Sequence, residues 1–202
     1  RYISVTGVQT CALPIFLTII ECNNCKNQSI DVSPSDILCV DIPPTWYEMN
    51  WIDLMDCMDE MFKIENIQYK CEKCNNTEHN RMDKKLLTKP KTLIIKLKKY
   101  ANIGTSLVKL NKVIKYYETI NLEKYYCGVN IGDYHLYGVI NHIGSLNGGH
   151  YYSYVKDYIT HDGEKQFGDT WYCCNDTNVR EIQLDEVMKS NNAYMLFYHS
   201  TN

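Results

Sequence analysis

The chain has 202 residues, 45% of them hydrophobic, which suits a sizeable core and excludes wholesale disorder. A formal charge of -3 and a pI near 6.1 argue against a nucleic-acid or membrane-surface binder. Ten cysteines in a chain with this much ordinary core point to metal binding in a reducing compartment, cytoplasmic or nuclear, rather than to the disulfide framework of a secreted miniprotein.

In chain order, the string Gly7-Val-Gln-Thr-Cys-Ala-Leu-Pro-Ile15 looks like a translated cloning or adapter tail, and no initiating Met precedes it. Residues 1–15 are therefore set apart as a non-native or unassigned tail. The apolar run 11–20 would rise only about 15 Å as a helix, about half a bilayer core. It has the length of a signal-peptide h-region, but no small-residue cleavage site follows it.

Residues 16–20 read as a short strand leading into Cys22-Asn-Asn-Cys25. After the turn residues Ser33-Pro34-Ser35, residues 37–42 form a second strand, stopped by Pro43-Pro44. Asn50 is placed as the cap of a helix over 51–62, with Asp53 in its first turn. Trp51, Leu54, Met55, Met58, Met61 and Phe62 then share one apolar face, read as core packing. Cys71-Glu-Lys-Cys74 follows, and after it a polar stretch, 75–91, containing Lys89-Pro90. Residues 92–100 form a strand with both faces partly buried. Residues 134–143 and 150–156 flank Gly144-Ser-Leu-Asn-Gly-Gly149 as a hairpin with a glycine-rich connection. Residues 171–174 and 193–198 add two strands. The expected class is α+β, with antiparallel sheet dominating the second half.

The two C-x-x-C pairs, Cys22/Cys25 and Cys71/Cys74, have the form of a zinc ribbon. Four thiolates complete a closed tetrahedral shell with no open position for catalysis, so the zinc is expected to be structural and its binding to add to folding. The helix gives residues 26–70, between the pairs, a structure of their own. His79 lies near Cys74, but the shell is already full, and it is read as a surface histidine. Cys11, Cys39, Cys57, Cys127, Cys173 and Cys174 lack ligand spacing and are expected to be free thiols, most of them buried.

The last third carries Gly148-Gly149-His150-Tyr151-Tyr152 and Trp171-Tyr172-Cys173-Cys174-Asn175-Asp176. A histidine behind two glycines leaves room for another backbone to approach. Asn175 and Asp176, at the end of a nearby strand, offer oxygens to accept the imidazole Nδ1–H, which would leave Nε2 free to take a thiol proton. That is the base-and-orienter half of a Cys-His-Asn/Asp triad.

These motifs, in this order, resemble the C-terminal boxes of the ubiquitin-specific proteases, papain-like thiol hydrolases with a finger–palm–thumb hand. The resemblance runs from about Leu17 to Ser200. It takes in the knuckles, the Tyr69-Lys-Cys71 lead-in, the strand Leu93-Ile-Ile-Lys-Leu-Lys-Lys-Tyr100 (similar to the family's L-x-I-x-L-K-R-F), the run from Tyr134 to Gly144, and the closing Ala193-Tyr-Met-Leu-Phe-Tyr198. It implies zinc-ribbon fingers over 16–91, a palm over 92–202 and a missing thumb. It further implies a deubiquitinase cleaving the isopeptide or peptide bond after the ubiquitin C-terminal glycine, with ubiquitin and ubiquitinated proteins as partners and no catalytic cofactor. In that reading His150 is the general base, Asn175 orients it, and Asp176 supports or shares that role. Gly148, Gly149 and Tyr152 border the channel for the ubiquitin tail.

The family's nucleophile sits in a box of the form Gly-Leu-x-Asn-x-Gly-x-Thr-Cys-Tyr-x-Asn-Ser. Cys11 has the Thr-Cys step but not the asparagine that helps build the oxyanion hole. Only residues 12–21 separate it from Cys22, where the family places a whole helical thumb. Cys173 and Cys174 lie on the strand that carries the orienter. The nucleophile is therefore expected outside this chain, and the chain alone to be inactive. A catalytically inactive ubiquitin-binding module is the alternative, disfavoured because such a module has no chemical reason to hold both His150 and Asn175. A stand-alone zinc-ribbon interaction protein would leave the second half unexplained.

Overall fold

The computed structural model describes residues 14–43, 48, 50–103, 105–110, 112–128, 132–145, 148–161 and 164–200. Cys11 and most of the tail expected at 1–15 lie outside the described residues. The first strand begins at Ile15, within the segment set apart.

Its elements in chain order are β1 (Ile15–Glu21), β2 (Gln28–Pro34), β3 (Leu38–Val40), β4 (Trp51–Asp53), α1 (Leu54–Phe62), β5 (Glu65–Ile67), β6 (Asn80–Leu86), β7 (Thr92–Leu97), β8 (Tyr100–Ile103) and β9 (Ser106–Lys109). Then come β10 (Val113–Lys115), β11 (Thr119–Asn121), β12 (Asp133–Ser145), β13 (Gly148–His161), β14 (Glu164–Asn175), β15 (Asn178–Ile182), α2 (Leu184–Met188) and β16 (Ala193–Ser200).

These strands make a four-stranded antiparallel sheet, β2-β1-β6-β5, and an eight-stranded sheet, β15-β14-β13-β12-β16-β7-β3 with β11 beside β12. Within the large sheet only the β3–β7 edge pairs in parallel. Mostly sheet with short helices, the chain is α+β, as expected.

Alternation along the strands explains the core. Leu93, Ile95 and Leu97 of β7, Tyr134, Leu136 and Val139 of β12, Leu196 and Tyr198 of β16, and Trp171 of β14 are all buried. They share one apolar cluster with Leu54, Cys57, Met58 and Phe62 of α1. The methionine-rich stripe from Leu54 to Phe62 is thus core packing, but Trp51, expected on the same face, lies on β4 and is 47% exposed; Trp171 and Tyr198 are core residues. Buried hydroxyls keep partners, as burial demands: Tyr198 donates to the Tyr117 carbonyl at 2.8 Å and Tyr134 to the Pro90 carbonyl at 3.0 Å.

Three expectations change. The helix starts at Leu54, because residues 51–53 pair in parallel with β10, and its cap is Asp53 rather than Asn50. The Asp53 Oδ1 accepts from the Met55 amide at 2.8 Å. The polar stretch 75–91 contains β6, whose ladder is satisfied by β1 on one side and β5 on the other, so pairing overrides a poor strand composition. Among the described cysteines outside the two pairs, Cys57 and Cys173 are buried, Cys39 and Cys174 half-buried, and Cys127 exposed. Cys173 and Cys174 are consecutive on a strand and must face opposite sides.

Among the described residues no helix is long and apolar enough to cross a membrane.

Candidate metal knuckle and histidine site

Each C-x-x-C pair caps a turn between antiparallel strands, Cys22/Cys25 between β1 and β2 and Cys71/Cys74 between β5 and β6. The two turns repeat one backbone pattern. Cys22 N donates to Asn27 O and Lys26 N to Cys22 O, both at 2.9 Å; Cys71 N donates to Asn76 O and Asn75 N to Cys71 O, both at 2.8 Å. Lys26 and Asn75 each take φ 59, a left-handed conformation that closes the turn. Because β1 and β6 are neighbours, the two turns meet.

All four sulfurs lie within 4.8 Å of one another, with Cys22–Cys74 and Cys25–Cys71 at 3.6 Å. A tetrahedral zinc with sulfurs at about 2.3 Å needs sulfur–sulfur edges of about 3.8 Å, so the donor set fits. The Cys25 amide aimed at the Cys22 sulfur is the main influence lowering that thiol, to about 6. The Asn76 amide does the same for Cys74. Cys25 goes the other way: the Asn27 amide lowers it, but burial and the three neighbouring thiols outweigh that and push it up to about 11, as expected when four thiols crowd together. The four-sulfur shell is closed. The cofactor fitted here is one structural zinc. His79 is exposed and outside the four-sulfur cluster, as expected.

The second site lies on the β12–β13 hairpin, where Ile143 pairs with His150 and Gly144 with Gly149. Alternation puts Gly148, His150, Tyr152 and Tyr154 on one face of β13, and Gly149 and Tyr151 on the other. The two glycines therefore differ. A Cβ on Gly148 would meet nothing within 4 Å, whereas one on Gly149 would lie 2.2 Å from His142 Nε2 and 2.6 Å from Ile143 O. Tyr152 is half-buried; its hydroxyl accepts from Asn192 Nδ2 at 3.2 Å and its ring meets Tyr154 edge-on.

Asn175 ends β14, which runs beside β13 with Ser153 opposite Cys174. Asp176 and Thr177 make the two-residue turn into β15, with Asp176 at φ 51, a conformation that aspartate tolerates. The strand end brings Asn175 Oδ1 to 2.5 Å from His150 Nε2, with Asp176 Oδ2 at 3.9 Å from the same nitrogen. The Asp176 side chain is 78% exposed, so water competes strongly for it. The expected partners meet, but at the other ring nitrogen. The end of the adjacent strand reaches the distal Nε2, which donates to Asn175. Nδ1 then carries the lone pair, and it has no hydrogen-bond partner among the described residues.

His142, Lys109 and Gly144 cluster behind this hairpin and were not singled out from sequence. The cue available was His142 itself, inside the run from Tyr134 to Gly144 and read there only as a strand residue.

A four-cysteine knuckle on a small sheet, with an asparagine-held histidine behind glycines on a large antiparallel sheet, is the layout of a ubiquitin carboxyl-terminal hydrolase domain. The family described as "Ubiquitin carboxyl-terminal hydrolase" matches residues 15–198, and the chain belongs to it. Ubiquitin carboxyl-terminal hydrolase 19 of Arabidopsis thaliana is 32% identical over 188 residues, covering 89% of this chain and 25% of the relative. The probable ubiquitin carboxyl-terminal hydrolase 8 of Schizosaccharomyces pombe is 27% identical over 183 residues, covering 90% of this chain and 36% of the relative. Among solved structures, Ubp8 of the SAGA DUB module bound to monoubiquitin is similar with a TM-score of 0.76 at 27% identity, covering 94% of this chain and 41% of that one. The same module bound to ubiquitin aldehyde gives 0.75 at 26% identity, with 94% and 41% covered. The chain spans only 25% and 36% of the length of these two curated relatives.

Proposed function

We propose that this chain carries the base-and-orienter half of a deubiquitinase site, its four-stranded sheet serving as zinc-ribbon fingers and its large sheet as the palm. The observation that carries the reading is the Asn175–His150 Nε2 bond, which leaves Nδ1 open as a base on the same face as the open space at Gly148. The thiol it serves comes from a cysteine beyond these residues, on a thumb that this chain does not contribute.

In the reaction, His150 Nδ1 takes the thiol proton as sulfur attacks the carbonyl of the ubiquitin C-terminal glycine. The imidazolium then gives that proton to the departing amine, leaving a thioester. A water, deprotonated by the same nitrogen, attacks the thioester, releases the ubiquitin carboxylate and returns the proton to sulfur. Asn175 holds the tautomer and ring plane throughout, while Asp176 adds a weaker, solvent-screened attraction for the imidazolium. Gly148, Gly149 and Tyr152 border the tail channel: Gly148 supplies the space, Gly149 lets the hairpin sit close on His142, and Tyr152 forms a wall. Its substrates are ubiquitin conjugates, which makes the site of action intracellular.

The test uses the longer protein and a ubiquitin probe with a thiol-reactive C-terminus. The longer protein should label and hydrolyse a ubiquitin amide, and His150→Ala should slow hydrolysis about 10²–10⁴-fold. The chain alone should not label. Ubiquitin binding without labelling or hydrolysis by the longer protein would replace this reading with an inactive ubiquitin-binding module.

A further inference from the structure

Strands β8 and β9 pair only with each other among the described residues, so this ribbon needs another attachment to keep its place. Lys109, the last residue of β9, supplies one. Its ammonium lies 2.8 Å from Gly144 O, 3.2 Å from His142 O and 3.3 Å from His142 Nδ1. That is one acceptor for each ammonium proton. The Tyr100 hydroxyl, from β8, lies 3.4 Å from the same Nδ1.

An ammonium can only donate, so His142 Nδ1 must accept, and the ring proton sits on Nε2. The Nε2 edge lies directly beneath Gly149, at the point where a Cβ would be 2.2 Å away. Tyr151 packs on the ring at 4.5 Å and Tyr194 at 6.0 Å, with Lys96 over the Tyr194 ring at 5.5 Å. Gly144 takes φ 119, and a Cβ there would lie 2.5 Å from Gly148 O. The glycine connection is thus gripped from the face opposite His150, at Gly144 by Lys109 and at Gly149 by the His142 ring.

We propose that Lys109 is a positioning residue for His150: its one ammonium clasps the β8–β9 ribbon to the back of the glycine connection and holds His142 as a neutral Nε2–H wall under Gly149. The assignment rests on the proposed role of His150 for its consequence, but not for its geometry. It also separates the two histidines of the hairpin. His142 has one ring nitrogen taken by a cation and the other covered by backbone, while His150 keeps Nδ1 open. Burial, and then the Lys109 charge, hold His142 below the ordinary imidazole range, in keeping with the neutral ring.

The test is the histidine side-chain nitrogen spectrum and the amide hydrogen exchange of this chain, zinc-loaded. In the wild type, His142 should give the Nε2–H pattern and titrate below the ordinary imidazole range. In Lys109→Met, the single-tautomer pattern should be lost, and the His142 midpoint should rise. Exchange at residues 142–145, 148–150 and 106–109 should quicken together by about tenfold, with β1 and β6 unchanged. Lys109→Arg, which still donates to the two carbonyls, should restore part of that protection. A wild-type His142 in the Nδ1–H form would overturn the clasp, as would unchanged spectra and exchange in Lys109→Met. If Lys109→Met fails to fold, the wild-type tautomer and the Lys109→Arg exchange still decide it. None of these readouts depends on activity, so an inactive longer protein would sink the proposed function and leave the clasp standing. In an active longer enzyme, Lys109→Met should lower kcat with KM unchanged, and an unchanged kcat would cut the link to His150.

Discussion

In the four-stranded sheet no position of β1 is fully buried, β2 is largely exposed, and Ile30 and Val32 face solvent. The buried apolar residues at its knuckle end are Cys22 and Cys71. In the large sheet, β7, β12 and β16 completely bury Leu93, Ile95, Leu97, Tyr134, Leu136, Leu196 and Tyr198 in the apolar cluster that α1 and β3 share. The knuckle end of the small sheet thus depends on sulfur and a cation, while its other end, at Phe16 and Leu86, joins the apolar core on which the large sheet depends. The difference matters for the site: His150 and Asn175 sit on the sheet that needs no metal, so the two sheets should fail separately.

The largest effect should come from the metal. Structural zinc contributes on the order of 10–16 kcal/mol to the peptides that bind it, more than a small open sheet can replace. Chelation or Cys71→Ser should abolish the roughly one zinc per chain expected for a four-thiolate shell and expose the amides of β1, β2, β5 and β6 to exchange. Protection in β12, β13 and β16 should persist. Loss of both sheets at once would break the comparison.

The converse cut is Leu196→Ala, which empties a fully buried site in the middle of the large sheet. It should lower the unfolding free energy by about 2–5 kcal/mol, read from denaturant midpoints, while metal analysis still finds the zinc.

What the sequence made legible follows the same divide between chemistry and geometry. Ligand spacing is a chemical constraint, so Cys22, Cys25, Cys71 and Cys74 were readable at once, and so were His150 and Asn175 as residue types. The parallel pairing of Trp51–Asp53 with Val113–Lys115 was not, because backbone ladders leave little imprint on side chains. The ring nitrogen that meets Asn175 depends on where a strand ends, which sets the atom and not the residue. Lys109 stayed hidden because two of its three partners are carbonyls, which every residue has.

Lys99 gives a pH handle within the large-sheet half. It is buried, donates to Asn191 O at 3.0 Å, and is pushed down to about 8 by burial and then by Lys109. An unfolded lysine keeps its proton to about 10.4. Between those values the unfolded chain binds more protons than the folded one, so stability should rise with pH. Below about 8 both states are protonated and the contribution is flat. Compared with Lys99→Met, the wild type should gain about 2 kcal/mol between pH 8 and 10 in paired denaturant titrations. A constant difference between the two proteins would mean that Lys99 is solvated in solution.

The smallest effect is also the most local, and it separates the two faces of one strand. Gly149→Ala would drive a Cβ into His142 Nε2 and Ile143 O, and with backbone on one side the hairpin itself must shift. The expected loss is about 1–3 kcal/mol, with changed exchange at residues 142–145. Gly148→Ala meets open space, and its φ is not in the left-handed region, so stability should change by no more than about 0.5 kcal/mol. If the His150 face is the tail channel, that silent methyl should still weaken hydrolysis by the longer enzyme, because it fills space that the substrate needs. Equal losses of stability in the two variants would mean that the faces are not distinct. A Gly148→Ala enzyme with full activity would move the channel away from this side of β13.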